Sequence, residues 1–413
     1  MNWKVFQYTG LAVFVATFLL FITTMFLGEF QYTEEVFQSV VSEDHQTVLR
    51  AEMQDILGQS FSNQYDLVSA FDTRFEEVNN AFKANQEWDK VIYADYTFSI
   101  VKASSQGFVK QNAHWLFWFI FVVGPLGALL YILPQLKLLG PAGIKNNHTF
   151  HDSEKARGIL GLTIGLFLIS FYVLLYWFPS YITNWTLLVD QLSIAMNGSP
   201  ASQWFLYGFM YTIAILVMGV RMLIKYRHSN YHKVRTASVM FFQLAFAFVI
   251  PQVLSKLNLP STDLKNMWPL DYSFFFDYRL DEMMQAGTIG WFMLVWGIVL
   301  FSIGVPVLTY LYGKRWYCSW VCGCGGLAET LGDPFRQLSS KKLSAWKFER
   351  YSVHIVLVLA VLMTAAVLYT FFSGKSELFN VAGIYVSSYD VRGWFGFAIG
   401  AAFSGVIGTG FYP

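Results

Sequence analysis

Runs of about 20 apolar residues, the length at which an α-helix crosses ~30 Å of hydrocarbon, recur in this chain near residues 8–28, 114–136, 158–183, 204–224, 237–255, 287–312, 352–373 and 394–413. Inside a bilayer every backbone N–H and C=O must find its partner within the protein, so runs of this length read as spanning helices. The expected fold is therefore all-α, a multispan transmembrane helical protein of about eight spans. With 55% apolar and only 13% charged residues, the chain is too apolar for a soluble domain of its size. Lys4 ahead of the first run imitates a signal peptide, but no small-residue cleavage site follows Phe26-Leu-Gly, and 1–28 is expected to stay as an N-terminal transmembrane anchor. A formal net charge of +1 supplies no basic surface, which argues against a nucleic-acid partner.

The loops between runs differ in Lys and Arg content. Segment 29–113 holds six basic residues against fourteen acidic ones; the later loops hold four (137–157), none (184–203), five with no acid (221–235), three (256–286), seven (313–351) and two (374–393). Basic loops face the cytoplasm. The expected placement is a bacterial inner (cytoplasmic) membrane with the N-terminus, 137–157, 221–235 and 313–351 cytoplasmic, and membrane lipid as the surrounding partner. The expected parts are the anchor, an extracytoplasmic helical domain at 29–113, helices two to six at 114–312, a cytoplasmic cysteine loop at 313–351, and helices seven and eight at 352–413.

In 29–113, Leu67, Phe71, Phe75, Val78 and Phe82 recur at helical spacing, as do Val48, Leu49, Met53, Ile56 and Leu57. Each set makes one apolar helix face. With Gly58-Gln-Ser-Phe-Ser-Asn-Gln between them, the simple expectation is a helical hairpin. In 256–286, Trp268, Phe274 to Phe276 and Tyr278 sit among acidic residues and read as an aromatic belt at the membrane interface.

Cys318, Cys322 and Cys324 are the only cysteines and share one stretch, Cys318-x3-Cys322-x-Cys324. Disulfides within so short a loop are strained, whereas neighbouring thiolates suit a soft metal. An iron–sulfur cluster or a zinc ion follows as the candidate, with all three cysteines as ligands. Gly323, Gly325 and Gly326 let the backbone turn and aim N–H groups at sulfur, and Lys314 and Arg315 add charge that favours thiolate. Three thiolates fall one short of the four that a cubane takes.

The stretch Arg315-Trp-Tyr-Cys318-Ser-Trp-Val-Cys322, following an apolar helix and leading into Leu327-Ala-Glu-Thr-Leu, resembles the membrane polyferredoxins of the NosR and NapH type. Their hallmark is a C-G-W-x-C-P element repeated after two membrane helices. Here Ser319 stands for the usual Gly, Gly323 for the usual Pro, and Cys324 is additional. The resemblance covers about 285–340 and, in helix order, 350–413. It implies a 4Fe-4S cluster and electron transfer between membrane quinol and a redox partner protein, or assistance in maturing a metalloenzyme. On this view the chain is a component of an oxidoreductase system more than a stand-alone enzyme. Cys318 and Cys322 inherit the family's ligand role; Cys324 joins them by spacing alone. The resemblance also implies a second C-x3-C element beyond Pro413, and an eighth span packed beside the sixth with Pro413 near Cys318.

A rival of another class is a membrane sensor or scaffold in which zinc only staples 318–324. Among other polar residues, the pairs His148 with His151 and His228 with His232 have metal-compatible spacing but read as solvated loop residues. His114 and His354 lie near opposite interfaces as axial-ligand candidates. Gln243, Pro251 and Gln252 within a span read as a helix contact or kink before a quinone pocket.

Overall fold

The computed structural model describes residues 3–87, 90–139, 159–261, 263–265, 268, 271–313, 316–333, 342–375, 377–381 and 384–399. Six helices among them are long and apolar enough to cross a membrane: Trp3–Thr24, Ala113–Pro134, Gln203–Lys225, Asn230–Lys256, Gly287–Tyr312 and Trp346–Ser373. The expected span at 158–183 is instead a broken one, Leu166–Trp177 and Pro179–Leu187 meeting at a 118° bend. Pro179 explains the break, because its ring removes a helical N–H and restricts Phe178 before it. With that pair counted as one span the total is seven. Residues 400–413, most of the expected eighth span, lie outside the described residues.

The chain divides into two compact units. The first comprises Met1–Leu138, Val173–Ala195 and Ser199–Met210. In it the Trp3–Thr24 and Ala113–Pro134 spans cross at glycine: a Cβ on Gly10 would lie 2.6 Å from the Tyr131 amide nitrogen, an approach that only small residues permit. The last carbonyls of the first span are capped by side chains. Asn184 Nδ2 donates to Thr24 O (3.1 Å) and Leu27 O (2.7 Å), Trp185 Nε1 to Phe21 O (2.9 Å), and Gln64 Nε2 to Met25 O (3.0 Å). These groups satisfy orphan acceptors that water would otherwise have to reach.

Segment 29–113 is helical but richer than a hairpin. It folds as Glu34–Val40, Glu43–Met53, Gln64–Ala84, Thr97–Ser104 and Phe108–Gln111, with Phe30–Gln31 paired antiparallel to Ser60–Phe61. Thr33 and Asn63 each accept an N–H of the helix they open, which is why the chain breaks into several helices at those points. The periodic faces are used as expected: Leu49, Met53, Ile56, Leu67, Phe71 and Val78 are buried together, with Phe75 and Phe82 packed against them. Val48 points out. Lys102 is buried against Asp190 (2.6 Å) and also donates to the Ala201 carbonyl.

The second unit comprises Leu139–Tyr172, Met196–Gly198 and Tyr211–Pro413. Here 256–286 departs most from expectation. The Asn230–Lys256 helix ends at Asn258, in the left-handed region with φ +54°, and the chain then turns back among the helices. The Leu264 carbonyl accepts from Trp296 Nε1 (2.9 Å), Trp268 Nε1 donates to Thr364 Oγ1 (2.9 Å), and the Trp268 ring meets Phe301 at 5.6 Å. Trp296 and Phe301 lie nine and fourteen residues into the Gly287–Tyr312 span, about 14–21 Å along it. The aromatic belt thus packs, in part, against two spans, where Leu264 and Trp268 are half-buried. Phe274 fits under Gly297, where a Cβ would lie 2.2 Å from its ring. After the long Leu343–Ser373 helix, Glu377–Val381 pairs with Ile384–Ser387 as a small antiparallel hairpin.

Candidate iron–sulfur site

The Gly287–Tyr312 span is stopped by Gly313 at φ +87°, a backbone conformation that glycine adopts without strain. A short helix, Trp316–Trp320, follows and is tied back by Trp316 Nε1 donating to Thr309 Oγ1 (3.2 Å). Cys322 is extended (φ −70°, ψ 131°) and opens the Gly323–Thr330 helix. The Cys322 amide donates to the Tyr317 carbonyl (2.8 Å), while its own carbonyl accepts from Gly326 (2.8 Å). Cys318 therefore sits on the first short helix, Cys322 at the corner and Cys324 in the first turn of the second.

The glycines set how tightly this corner closes. A Cβ on Gly325 would lie 1.8 Å from the Cys318 carbonyl oxygen, one on Gly323 2.5 Å from Gln243 Oε1, and one on Gly326 2.2 Å from Val239 Cγ1. The first contact presses the two short helices together. The other two press the second helix onto the Asn230–Lys256 and Gln203–Lys225 spans, where Tyr211 also faces Gly323.

Following the contacts in order shows the path. The Trp320 carbonyl accepts from Ser238 Oγ (2.9 Å), Gly323 meets Gln243, Gly326 meets Val239, and Glu329 pairs with Arg235 (2.7 Å). Along the partner helix the contacts advance from 238 to 243 and return to 235, so the cysteine segment enters the bundle and turns at Gly323. From Arg235 to Gln243 is eight residues, about 12 Å of helix. The return is pinned by Asp333, whose carboxylate accepts from Lys225 Nζ (2.6 Å), Arg221 Nη1 (3.1 Å) and the Tyr226 hydroxyl (3.3 Å).

The sulfurs of Cys322 and Cys324 share a hydrogen bond, and the Tyr211 hydroxyl bonds Cys324. The proton is unevenly divided. Donation from the Cys324 thiol pulls Cys322 down to about 6 against the effect of burial, helped by the amides of Gly325 and Cys324 and by the charge of Lys265. Holding that proton beside a thiolate, together with burial, pushes Cys324 up. The shared hydrogen bond thus favours the anion at Cys322, at a helix N-terminus, and the thiol at Cys324. Tyr317, whose hydroxyl is pushed up by burial, stays a neutral donor.

Of the three expected ligands the structure brings Cys322 and Cys324 together. Cys318 lies on the preceding helix and, like Cys324, is exposed, while Cys322 is half-buried; among the described residues no group of three His, Cys, Asp or Glu side chains is close enough to hold one metal ion. The donor chemistry nevertheless fits an iron–sulfur group, with two neighbouring soft sulfurs, backbone N–H groups aimed at sulfur, and a third thiol one short helix away. Lys314, Arg315, Pro413, and His148 with His151 lie outside the described residues. His232 is engaged by Ser229 (2.9 Å) and stacks on Tyr226 at 4.8 Å. His114 meets Gln191 Oε1 at 3.0 Å. Gln243 donates to Thr212 Oγ1 (3.2 Å) and Gln252 accepts from Asn197 (2.7 Å), so both make helix contacts. Tyr211, Asp333 and Lys265 were not singled out by sequence. Tyr211 was visible only as a tyrosine in an apolar run, and Asp333 and Lys265 only as charged residues in loops.

Residues 291–344 match the family model of a 4Fe-4S binding domain. This supports an iron–sulfur cluster as the cofactor and covers all but the first four residues of the Gly287–Tyr312 span together with all three cysteines. No curated protein matches the chain, and no solved structure does.

Proposed function

We propose that this chain is a membrane-bound iron–sulfur electron-transfer protein, relaying electrons between the quinol pool or a cytoplasmic donor and a redox partner protein in a bacterial inner membrane. The observation that carries this reading is the Cys322–Cys324 pair, turned into a bundle of apolar helices within a segment similar to a 4Fe-4S binding domain. Cys318, Cys322 and Cys324 are the residues that would hold the group, which supplies one-electron chemistry when bound.

The chain's own residues prepare that corner. Cys322 is ready as thiolate, Cys324 has one proton to release on ligation, and the Gly325 amide and Tyr211 hydroxyl bond the two sulfurs. Resemblance to the NosR and NapH type polyferredoxins supports quinol as the donor, and the departures at Ser319, Gly323 and Cys324 make the ligand set this chain's own. Anaerobically purified protein in liposomes, given a reduced short-chain quinol, is expected to lose its visible cluster absorption within the mixing experiment. Bleaching by dithionite but not by quinol would remove the quinol pool as donor and leave a soluble cytoplasmic one.

A further inference from the structure

Five basic residues and no acidic one lie between Arg221 and Arg235, where the Gln203–Lys225 span is joined to the Asn230–Lys256 span. The cysteine segment neutralises three of them, since Asp333 pairs with Arg221 and Lys225, and Glu329 pairs with Arg235. Arg227 is exposed and Lys233 half-buried, and among the described residues neither has a carboxylate partner. Between them in the chain stands Tyr231, 57% exposed. Its ring meets the Trp320 ring edge-on at 5.6 Å, and the Arg235 guanidinium lies over it at 5.8 Å. Trp320 is two residues from both Cys318 and Cys322. Its carbonyl accepts from Ser238 Oγ (2.9 Å), while its ring reaches Tyr231, about two turns back on the same helix face. A packed pair of rings therefore leads from the cysteine segment to an exposed tyrosine flanked by unpaired cations.

We propose that Arg227, Tyr231 and Lys233 form the docking surface for an acidic, soluble one-electron carrier protein, with Trp320 between the docked carrier and the cysteines. It rests on the electron-transfer reading of the site and supplies the chemistry of the soluble partner. Surplus positive charge speeds and orients the approach of an acidic surface, and a braced Tyr beside Arg is the kind of residue that anchors a contact. A general excess of basic residues in loops at one membrane face accounts for the cations. It does not account for an exposed ring packed onto the cysteine segment. Lipid headgroups would answer the cations, yet they make no use of a ring pair that leads to the cysteines. In the transfer the carrier is oxidised by one electron and the group held by the cysteines is reduced by one; no bond is made or broken.

The probe is an acidic 2Fe-2S ferredoxin, reduced beforehand and freed of its reductant, mixed by stopped flow with the full chain purified anaerobically in detergent. Reoxidation of the ferredoxin is followed for wild type, Arg227→Glu/Lys233→Glu, Arg227→Lys/Lys233→Arg, Tyr231→Ala and Tyr231→Phe, with iron content measured for each. Binding of oxidised ferredoxin is measured on the same samples and needs no cluster. The wild-type second-order rate is expected to fall as salt rises from about 0.05 M to about 0.5 M. The charge-reversal variant is about tenfold slower at low salt and loses that dependence, whereas the charge-conserving variant keeps the wild-type rate. Tyr231→Ala binds about tenfold more weakly with the salt dependence unchanged, and Tyr231→Phe binds as wild type does. Wild-type rate and affinity in the charge-reversal variant, or in Tyr231→Ala, at full iron content overturn the proposal. So does a charge effect that is absent in detergent and appears only in nanodiscs containing phosphatidylglycerol, which would make anionic headgroups the occupant. Iron-free wild type that still binds ferredoxin through Arg227 and Lys233 would instead overturn the electron-transfer reading and leave the docking surface standing.

Discussion

Cys322→Ser is expected to lose nearly all bound iron and acid-labile sulfide while keeping its helical content. Serine oxygen is a hard, weakly acidic donor and a poor substitute for thiolate at iron. Cys322 is also the residue that opens the Gly323–Thr330 helix in an extended conformation, and serine is among the best residues for that position. The substitution therefore removes a sulfur without removing a cap, and far-ultraviolet circular dichroism should not change. Without the neighbouring thiolate Cys324 would release its proton more readily, so the loss of iron would report the missing sulfur and not a blocked partner. A Cys322→Ser protein with full iron content would take Cys322 out of the ligand set.

Asp333→Ala is expected to destabilise the second unit by about 3–5 kcal/mol, the range for breaking a buried ion pair from one side. The Asp333 side chain is 2% exposed, and Arg221 and Lys225, each 15% exposed, both donate to it. Alanine would leave two cations facing one another in a desolvated place with their anion gone. Asp333→Asn, which can still accept hydrogen bonds, should cost less. Thermal unfolding in detergent checks the order wild type, Asn, Ala, and hydrogen exchange should show the largest loss of protection in Gly323–Thr330, the helix that Asp333 pins. Equal melting temperatures for all three would sink the latch.

The spans were legible because a run of apolar residues the thickness of a bilayer admits few alternatives. The face of Gln64–Ala84 was legible because Leu67, Phe71 and Val78 keep the helical period. The break at Phe178 could be read from Pro179, yet hydropathy alone runs straight through it. The paths of 256–286 and of the cysteine segment were hidden for another reason: they are set by tertiary contacts. Gly325 and Gly326 were visible as glycines, but the Cys318 carbonyl and Val239 that require them are not neighbours in sequence. Lys265 entered the loop charge count as one basic residue among acids, because such counting assigns every residue between two spans to the water on one side. The hairpin Glu377–Ser387 is too short for a periodic signal to stand out. Cys318, Cys322 and Cys324 gave the chemistry at once, and the structure adds that Cys322 and Cys324 are hydrogen-bonded to one another.

The central claim is that these cysteines hold an iron–sulfur cluster and not a structural zinc ion. Metal and sulfide analysis of the full chain purified under strict anaerobiosis, with electron paramagnetic resonance before and after dithionite, tests it most directly. The expected result is iron and acid-labile sulfide in equal amounts and a paramagnetic signal that responds to reduction. Stoichiometric zinc, with neither iron nor signal, would contradict it and make 318–324 a stapled corner.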